Sequence, residues 1–244
     1  MFDSFYATND HIQSALFGKQ RLSASTQTHV AAVYGNLALT ILACMIGANT
    51  HLYSPIIQGG WISALLGFVC MFYISATPVG PYGDYKRRVA LYLFGFLEGL
   101  TLGPLVERLI DAYPGVLTMA LGTTLVTFVS FSLFAILSSN RMLLYLGGML
   151  ASALSTLFWI SLANSFFGIR ALYTAELYLG LALFLGYIVY DTQMMLWKVD
   201  VLGLRDITGD CVTLFVDLVA VFVRIAIILA KNREEEENRK RRRR

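Results

Sequence analysis

Charged residues are scarce in this sequence. They occupy 14% of the 244 positions, whereas hydrophobic residues occupy 57% and the mean hydropathy is +0.62. Soluble globular domains carry roughly 25% charged residues, so this composition excludes a soluble domain and indicates a polytopic membrane protein in contact with lipid. The connections between apolar segments are also short, about 5 to 12 residues, which excludes a separate catalytic domain. Any chemistry must therefore take place within the membrane.

Cysteine and histidine are rare as well, and their positions exclude further classes. The three cysteines have neither the number nor the spacing of a disulfide framework or a zinc site. The three histidines lie outside the strongly apolar runs, so a zinc hydrolase with imidazole ligands inside the membrane is excluded. The first 29 residues lack the apolar core of a signal peptide, so we expect the first span to direct insertion. No resident cofactor is expected.

Seven apolar segments are predicted to form an all-α membrane helix bundle over residues 30–230. Residues 1–29 precede it as a cytosolic segment, and residues 231–244 follow it as a charged basic tail. All five prolines lie at or near segment ends, where a missing N–H costs little. The predicted segments are approximately 30–50, 56–76, 89–106, 115–137, 143–166, 176–197 and 210–230.

Small residues recur at every fourth position in the third and fifth segments. This spacing places them on one helix face and allows two backbones to approach closely in lipid. The pattern therefore predicts tight helix pairs. The residues concerned are Gly95, Gly99 and Gly103 in the third segment, and Gly147, Ala151 and Ser155 in the fifth.

The distribution of lysine and arginine favours a cytosolic N-terminus, because only Arg108 and Arg170 then lie in outside loops. Seven crossings would, however, place the basic tail outside, although such tails are typical of an anchor or sorting address at the cytosolic leaflet. A nucleic-acid partner does not fit so many spans. The conflict is resolved if the seventh segment enters the membrane and returns on the same side, since irregular backbone is tolerated where it lines a polar cavity.

Two aspartates, Asp191 and Asp217, interrupt the last two apolar segments. An ionised carboxylate at that depth is costly, so each is interpreted first as functional. Both are equally distant from a connection centred near residue 204, so an antiparallel hairpin places them at one depth, ~10 Å inside the hydrocarbon edge. We predict that the pair shares a proton or binds a cation, with transient calcium as the metal.

Four further polar side chains are predicted to support this pair. Glu98 lies near the midplane of the third segment, and Thr192 and Gln193 supply neutral oxygen atoms beside Asp191. Arg224 follows Asp217 by two helical turns and is the one base at this depth. The alternative to an ion pathway is a static latch, in which these groups only fix helix geometry.

Six motifs are dispersed along the apolar segments. They are GLTLGP (99–104), the stretch 114–133 with ALGTTLVTF inside it, YLGGML (145–150), NSFFG (164–168), YDTQ (190–193) and LFVDLVAVFVR (214–224). In order and spacing they resemble the motifs of the Bax inhibitor family, and the resemblance covers the chain from about residue 22 to its end. It implies a multi-pass membrane protein of the endoplasmic reticulum that suppresses programmed cell death and lets calcium leak in a pH-sensitive way.

The resemblance also implies roles for particular residues and partners. Asp191 and Asp217 match the paired aspartates of the family. Bacterial members place an arginine in the second segment to latch the pair, but the second segment here has none, and Arg224 is the substitute that we predict. Cell-death regulators and other membrane proteins of the endoplasmic reticulum are the expected partners.

Two other functions compete with this interpretation. Tyr190 and Asp191 match one half of an intramembrane aspartyl protease of the presenilin type, but Asp217 does not follow Gly-x-Gly and no Pro-Ala-Leu follows it. An acid–base pair also needs access for its substrate, so no enzymatic activity is predicted. The second alternative is a non-conducting membrane interaction protein whose effect on calcium is indirect.

Overall fold

The computed structural model describes residues 23–54, 57–80, 83–113, 115–138 and 146–243. Within these residues the chain forms seven α-helices and no strand, and six of the helices are long and apolar enough to cross a membrane. The predicted all-α, polytopic membrane bundle is confirmed. The helices are α1 (Ala24–Tyr53), α2 (Trp61–Ala76), α3 (Gly83–Ala112), α4 (Val116–Leu137), α5 (Leu146–Phe167), α6 (Arg170–Leu202) and α7 (Ile207–Arg242).

The last helix corrects one expectation. α7 runs without interruption for 36 residues, so the seventh segment does not turn back within the membrane, and the re-entrant interpretation is wrong. At ~1.5 Å per residue the helix is ~54 Å long, which exceeds the ~30 Å hydrocarbon core. The basic tail continues this helix as an exposed, charged extension. Residues 1–22 of the predicted N-terminal segment lie outside the described residues.

The second predicted segment is shorter than its apolar run. α2 has 16 residues and is ~24 Å long, because residues 57–60 before it, which include Gly59 and Gly60, are not helical. Helices of ~20 residues are needed to cross the core. If only the six long helices cross, both ends of the chain lie on one side. That arrangement, however, places residues 86–88 on the opposite side, so it does not reproduce the lysine and arginine distribution that favours a cytosolic N-terminus.

Pro104 lies inside α3 and not at its end. The apolar run stops at residue 106, where this helix was predicted to end, but the polar stretch up to Ala112 continues the helix. Proline lacks the N–H that would bond the carbonyl four residues earlier, which is that of Leu100. This carbonyl faces Gly59, whose missing side chain leaves room for the approach.

The chain divides into two compact units, and the first comprises the residues up to Val30 together with Val126–Arg205. In this unit α5 packs on α6, and Gly147 lies against the ring of Tyr190. Thr26, at the start of α1, donates a hydrogen bond to the carboxylate of Asp200 near the end of α6. The predicted tight helix pair of the fifth segment is confirmed at Gly147.

The second unit comprises Ala31–Leu125 and the residues from Asp206 onward. Here the predicted glycine stripe of α3 is confirmed, because each of its members lies against α1. Gly95 faces Thr40, and Gly99 faces the backbone of Cys44. One helical turn from Gly95, the Tyr92 hydroxyl donates to Asn36 Oδ1 of α1 at 2.7 Å.

Candidate functional site

The helix that carries Asp191 ends at a glycine. Gly203 has a φ of +66°, the left-handed conformation in which glycine is favoured, and the Leu204 N–H donates to the Lys198 carbonyl at 3.0 Å. This bond gives a carbonyl in the last turn of α6 a hydrogen-bond donor. Asp191 lies eleven positions before Leu202, which places its carboxylate ~16 Å from the helix end.

Asp191 and its two sequence neighbours differ in exposure within the first unit. Asp191 is half-buried, whereas Thr192 and Gln193 are almost completely buried, at 0% and 1% exposure. The Thr192 hydroxyl has no hydrogen-bond partner among the described residues. Polar groups removed from water normally find a partner, so the oxygen atom of this hydroxyl is available as a ligand for a cation. This fits the predicted supporting role of Thr192.

Asp217 belongs to the second unit and is buried, with 4% of its surface exposed. It lies ten positions after Ile207, the first residue of α7, so its height above the helix start is ~15 Å. The two aspartates are therefore about equally far, along their own helices, from the helix ends that flank the connection. Asp191 and Asp217 lie in different units, and their pairing stays a prediction.

Arg224 and Glu98 also belong to the second unit. The Arg224 guanidinium donates to the Ala220 carbonyl of its own helix at 3.0 Å, and its predicted role as the latch of the aspartates stays a prediction. Glu98 is half-buried on α3, with its carboxylate facing Gly67 of α2. One turn further, Thr101 forms a hydroxyl hydrogen bond of 2.9 Å with Ser63, which is a polar contact between α2 and α3.

The concave space in the second unit is apolar. A groove of about 640 Å³ is lined by α1, α3, α4 and one face of α7, and Asn49 is its most polar lining residue. Asp217 is not part of this lining, although Phe215, Leu218 and Phe222 of the same helix are. The groove therefore offers a surface for hydrocarbon and presents no carboxylate to a cation.

A preformed metal centre is not seen in the part of the chain that the structure describes. No three residues of the His, Cys, Asp or Glu types lie close enough together there to hold an ion. Calcium ligation by Asp191 and Asp217 is thus a prediction about a transient site. Transient binding is what a permeating ion requires, because an ion held by a full set of ligands would not leave.

An ion pair in the second unit, between a buried arginine and a half-buried aspartate, was not predicted from the sequence. Arg87, at the start of α3, is 3% exposed and contacts both carboxylate oxygens of Asp206, with N···O distances of 2.7 and 2.6 Å. Asp206 is also the N-cap of α7, since its Oδ1 accepts the Gly209 N–H at 2.9 Å. The cap was visible in the sequence as an aspartate before an apolar helix. Its arginine partner was not.

Comparison with known proteins agrees with this architecture. The family model described as "Inhibitor of apoptosis-promoting Bax1" matches residues 26–234, which is most of the chain. The chain belongs to the Bax inhibitor family. Family membership agrees with the six motifs, and the matched residues include all seven apolar segments and both aspartates.

Relatives in the Bax inhibitor family match over nearly their whole length. "Bax inhibitor 1" of Homo sapiens is 38% identical over 220 residues, which cover 90% of this chain and 92% of the relative. "Bax inhibitor 1" of Arabidopsis thaliana is 39% identical over 232 residues, which cover 95% and 92%. "Bax inhibitor 1" of Oryza sativa subsp. japonica is 35% identical over 239 residues, which cover 94% of each. The chain is thus a multi-pass membrane protein of this family.

Proposed function

We propose that this protein resides in the endoplasmic reticulum membrane, suppresses programmed cell death and mediates a pH-sensitive calcium leak through Asp191 and Asp217. The observation that supports the ion path most directly is the position of Asp217. Its carboxylate is 4% exposed and lies ten residues inside a helix that is long enough to cross a membrane. Acidic side chains at such depth mark ion and proton pathways, because their burial is otherwise costly.

The chemistry of the neighbouring groups supports calcium as the permeating ion. Calcium binds oxygen ligands, and carboxylates with hydroxyl and amide oxygens make up its usual set. Asp191 is followed directly by Thr192 and Gln193, which carry a hydroxyl and an amide oxygen. Protons compete with calcium for the same carboxylates, so the flux depends on pH where the pair changes its charge.

The cell-death role rests on the family. The matching family description names an inhibitor of apoptosis-promoting Bax1, and the relatives carry the name Bax inhibitor 1. Cell-death regulators and other membrane proteins of the endoplasmic reticulum are therefore the proposed partners.

Cells that express the tagged chain should show it in endoplasmic reticulum membranes and should survive a Bax challenge better than cells with an empty vector. Localisation elsewhere, or equal survival, contradicts this part of the proposal.

The ion path is tested with purified protein in liposomes that contain a calcium dye. Wild type should pass calcium, and Asp217→Asn should pass at least several-fold less. Asp210→Asn is the matched control, because Asp210 is also 4% exposed and lies on α7, two helical turns before Asp217. Equal flux from wild type and Asp217→Asn contradicts the ion path and favours the non-conducting interaction protein. An equal loss in both variants shows that any buried carboxylate of α7 matters, and contradicts the special role of Asp217.

A further inference from the structure

We infer that Arg87 and Asp206 form a clamp that sets the position of α7 and, through this helix, the position of Asp217. Arg87 is then a positioning residue that touches no permeating ion. The inference rests on the proposed ion path only in its last step. The clamp itself is argued from contacts within the second unit.

The guanidinium of Arg87 uses three N–H groups on two partners. Its two terminal nitrogens bond the two Asp206 oxygens at 2.7 and 2.6 Å, a bidentate arrangement that fixes distance and angle together. Its Nε donates to the Ile74 carbonyl at 3.0 Å. This carbonyl lies in the last turn of α2, where helical carbonyls lack donors of their own. One buried side chain at the start of α3 therefore joins the end of α2 to the start of α7.

The carboxylate of Asp206 is bound on both sides. One oxygen accepts the Gly209 N–H at 2.9 Å as the helix cap, while both oxygens accept from Arg87. Gly209 has no room for a side chain, because a Cβ there would overlap the Asp206 carboxylate. The pair is thus attached to the backbone of the first turn of α7, and movement of the carboxylate away from Arg87 would also disturb the cap.

A fixed helix start determines where the buried aspartate lies. α7 continues without a break from Ile207 through Asp217, so the helix transmits the position of its first turn over ~15 Å. A slip of one residue would turn Asp217 by ~100° about the helix axis and raise or lower it by ~1.5 Å. An ion path that depends on Asp217 therefore depends on the clamp.

The structure supplies a reporter of the position of α7 that is independent of ion flux. Cys211, one turn into α7, lies 3.8 Å from the Thr40 hydroxyl of α1, measured from sulfur to oxygen. In a background of Cys44→Ser and Cys70→Ser, the substitution Thr40→Cys creates a thiol pair that a membrane-permeant copper–phenanthroline oxidant can convert to a disulfide. Two copper(II) complexes each accept one electron, the sulfur–sulfur bond replaces the two S–H bonds, and the two protons pass to the solvent. The rate of crosslinking reports the distance between α1 and the start of α7.

Three clamp variants and one control are compared in this reporter background. Arg87→Gln removes the ion pair, and Arg87→Lys keeps the charge but loses the bidentate contact. Asp206→Asn keeps the ability to cap the helix but loses the charge. Arg88→Gln is the control, because Arg88 is the neighbouring arginine and is exposed.

We expect the crosslinking rate to fall at least threefold in Arg87→Gln and Asp206→Asn, to fall less in Arg87→Lys, and to stay unchanged in Arg88→Gln. Calcium flux in liposomes should follow the same order. Unchanged crosslinking in Arg87→Gln and Asp206→Asn overturns the clamp. Reduced crosslinking with normal flux overturns the link to Asp217. If the clamp variants crosslink more slowly but the wild-type protein passes no calcium, the clamp is supported and the proposed function is contradicted. The two failures are therefore distinguishable. If Arg87→Gln does not fold, Arg87→Lys and Asp206→Asn still decide the outcome.

Discussion

The close approach of α1 and α3 makes a sharp prediction for Gly99→Ala. A Cβ at Gly99 would overlap the carbonyl oxygen of Cys44, which is a backbone atom and cannot move by changing a rotamer. Carbon and carbonyl oxygen normally stay ~3.3 Å or more apart, so the two helices would have to separate locally by more than ~1 Å. The added methyl therefore forces a rearrangement of a helix interface.

The size of the effect follows from two opposing contributions. Overpacking a close interface costs about 1–3 kcal/mol, whereas replacing glycine by alanine within a helix gains up to about 1 kcal/mol. Gly122→Ala is the matched control, because Gly122 is exposed on α4 and a Cβ there meets no atom within 4 Å. The control receives only the gain in helix propensity. The propensity gain is common to both variants and cancels, so the two should differ by the overpacking cost of about 1–3 kcal/mol in stability.

Thermal unfolding of the purified protein in detergent provides the assay. For chains of this size, 1 kcal/mol corresponds to a shift of about 2–4 °C in Tm, so Gly99→Ala should unfold at least about 2 °C below Gly122→Ala. The comparison uses the same substitution at both sites, which removes differences in side-chain chemistry. An equal or higher Tm for Gly99→Ala would falsify the close contact between α1 and α3 and would remove the physical reason for the glycine stripe.

Two further predictions concern the ends of helices. His51→Ala removes the Nδ1 atom that accepts the Gly59 N–H at 2.8 Å, so the Gly59 amide should exchange its hydrogen markedly faster by mass spectrometry. Glu107→Gln should leave that exchange unchanged, because Glu107 contacts only the other nitrogen of His51, at 3.5 Å; faster exchange in both variants contradicts this assignment. Removal of residues 234–244 should leave the membrane helices inserted but change sorting of the protein, since this stretch is strongly charged and residues 234–243 are exposed. A truncated chain that fails to insert would show that the tail is structural.

Much of the architecture could be predicted because lipid imposes a simple rule. Each crossing needs a long apolar helix, so hydropathy alone located all seven helices. The contact of Gly99 with α1 followed from its spacing with Gly95 and Gly103, since small residues four apart share one helix face. These are local properties of the sequence, and they carry over to the structure directly.

The helix ends were harder to predict, because hydropathy does not record hydrogen bonds. The polar stretch after Pro104 continues α3, and the charged residues beyond Lys231 continue α7, although both fall outside the apolar windows. By contrast, residues 57–60 lie inside the predicted second segment but are not helical. The re-entrant interpretation of the last segment was wrong because it was drawn from the charge distribution, which does not show whether a helix is continuous.

The candidate site could be predicted only in part. The costly burial of Asp217 was inferred from its apolar neighbours, and its 4% exposure agrees with that inference. The Arg87–Asp206 pair could not be inferred, because its members are 119 positions apart and each lies in a polar stretch where charges are ordinary. A cap signal identifies the start of a helix, but it does not identify the side chain that binds the cap.

The most direct test of the central claim is the pH dependence of calcium flux in Asp191→Asn, Asp217→Asn and the double variant. Wild-type protein in liposomes should show a flux that changes with pH near neutrality, because the two carboxylates are proposed to share one proton. Either single substitution should abolish that dependence, and the double variant should add little further change. Additive losses in the double variant, or a wild-type pH profile retained by both single variants, would contradict the claim that Asp191 and Asp217 act as one site.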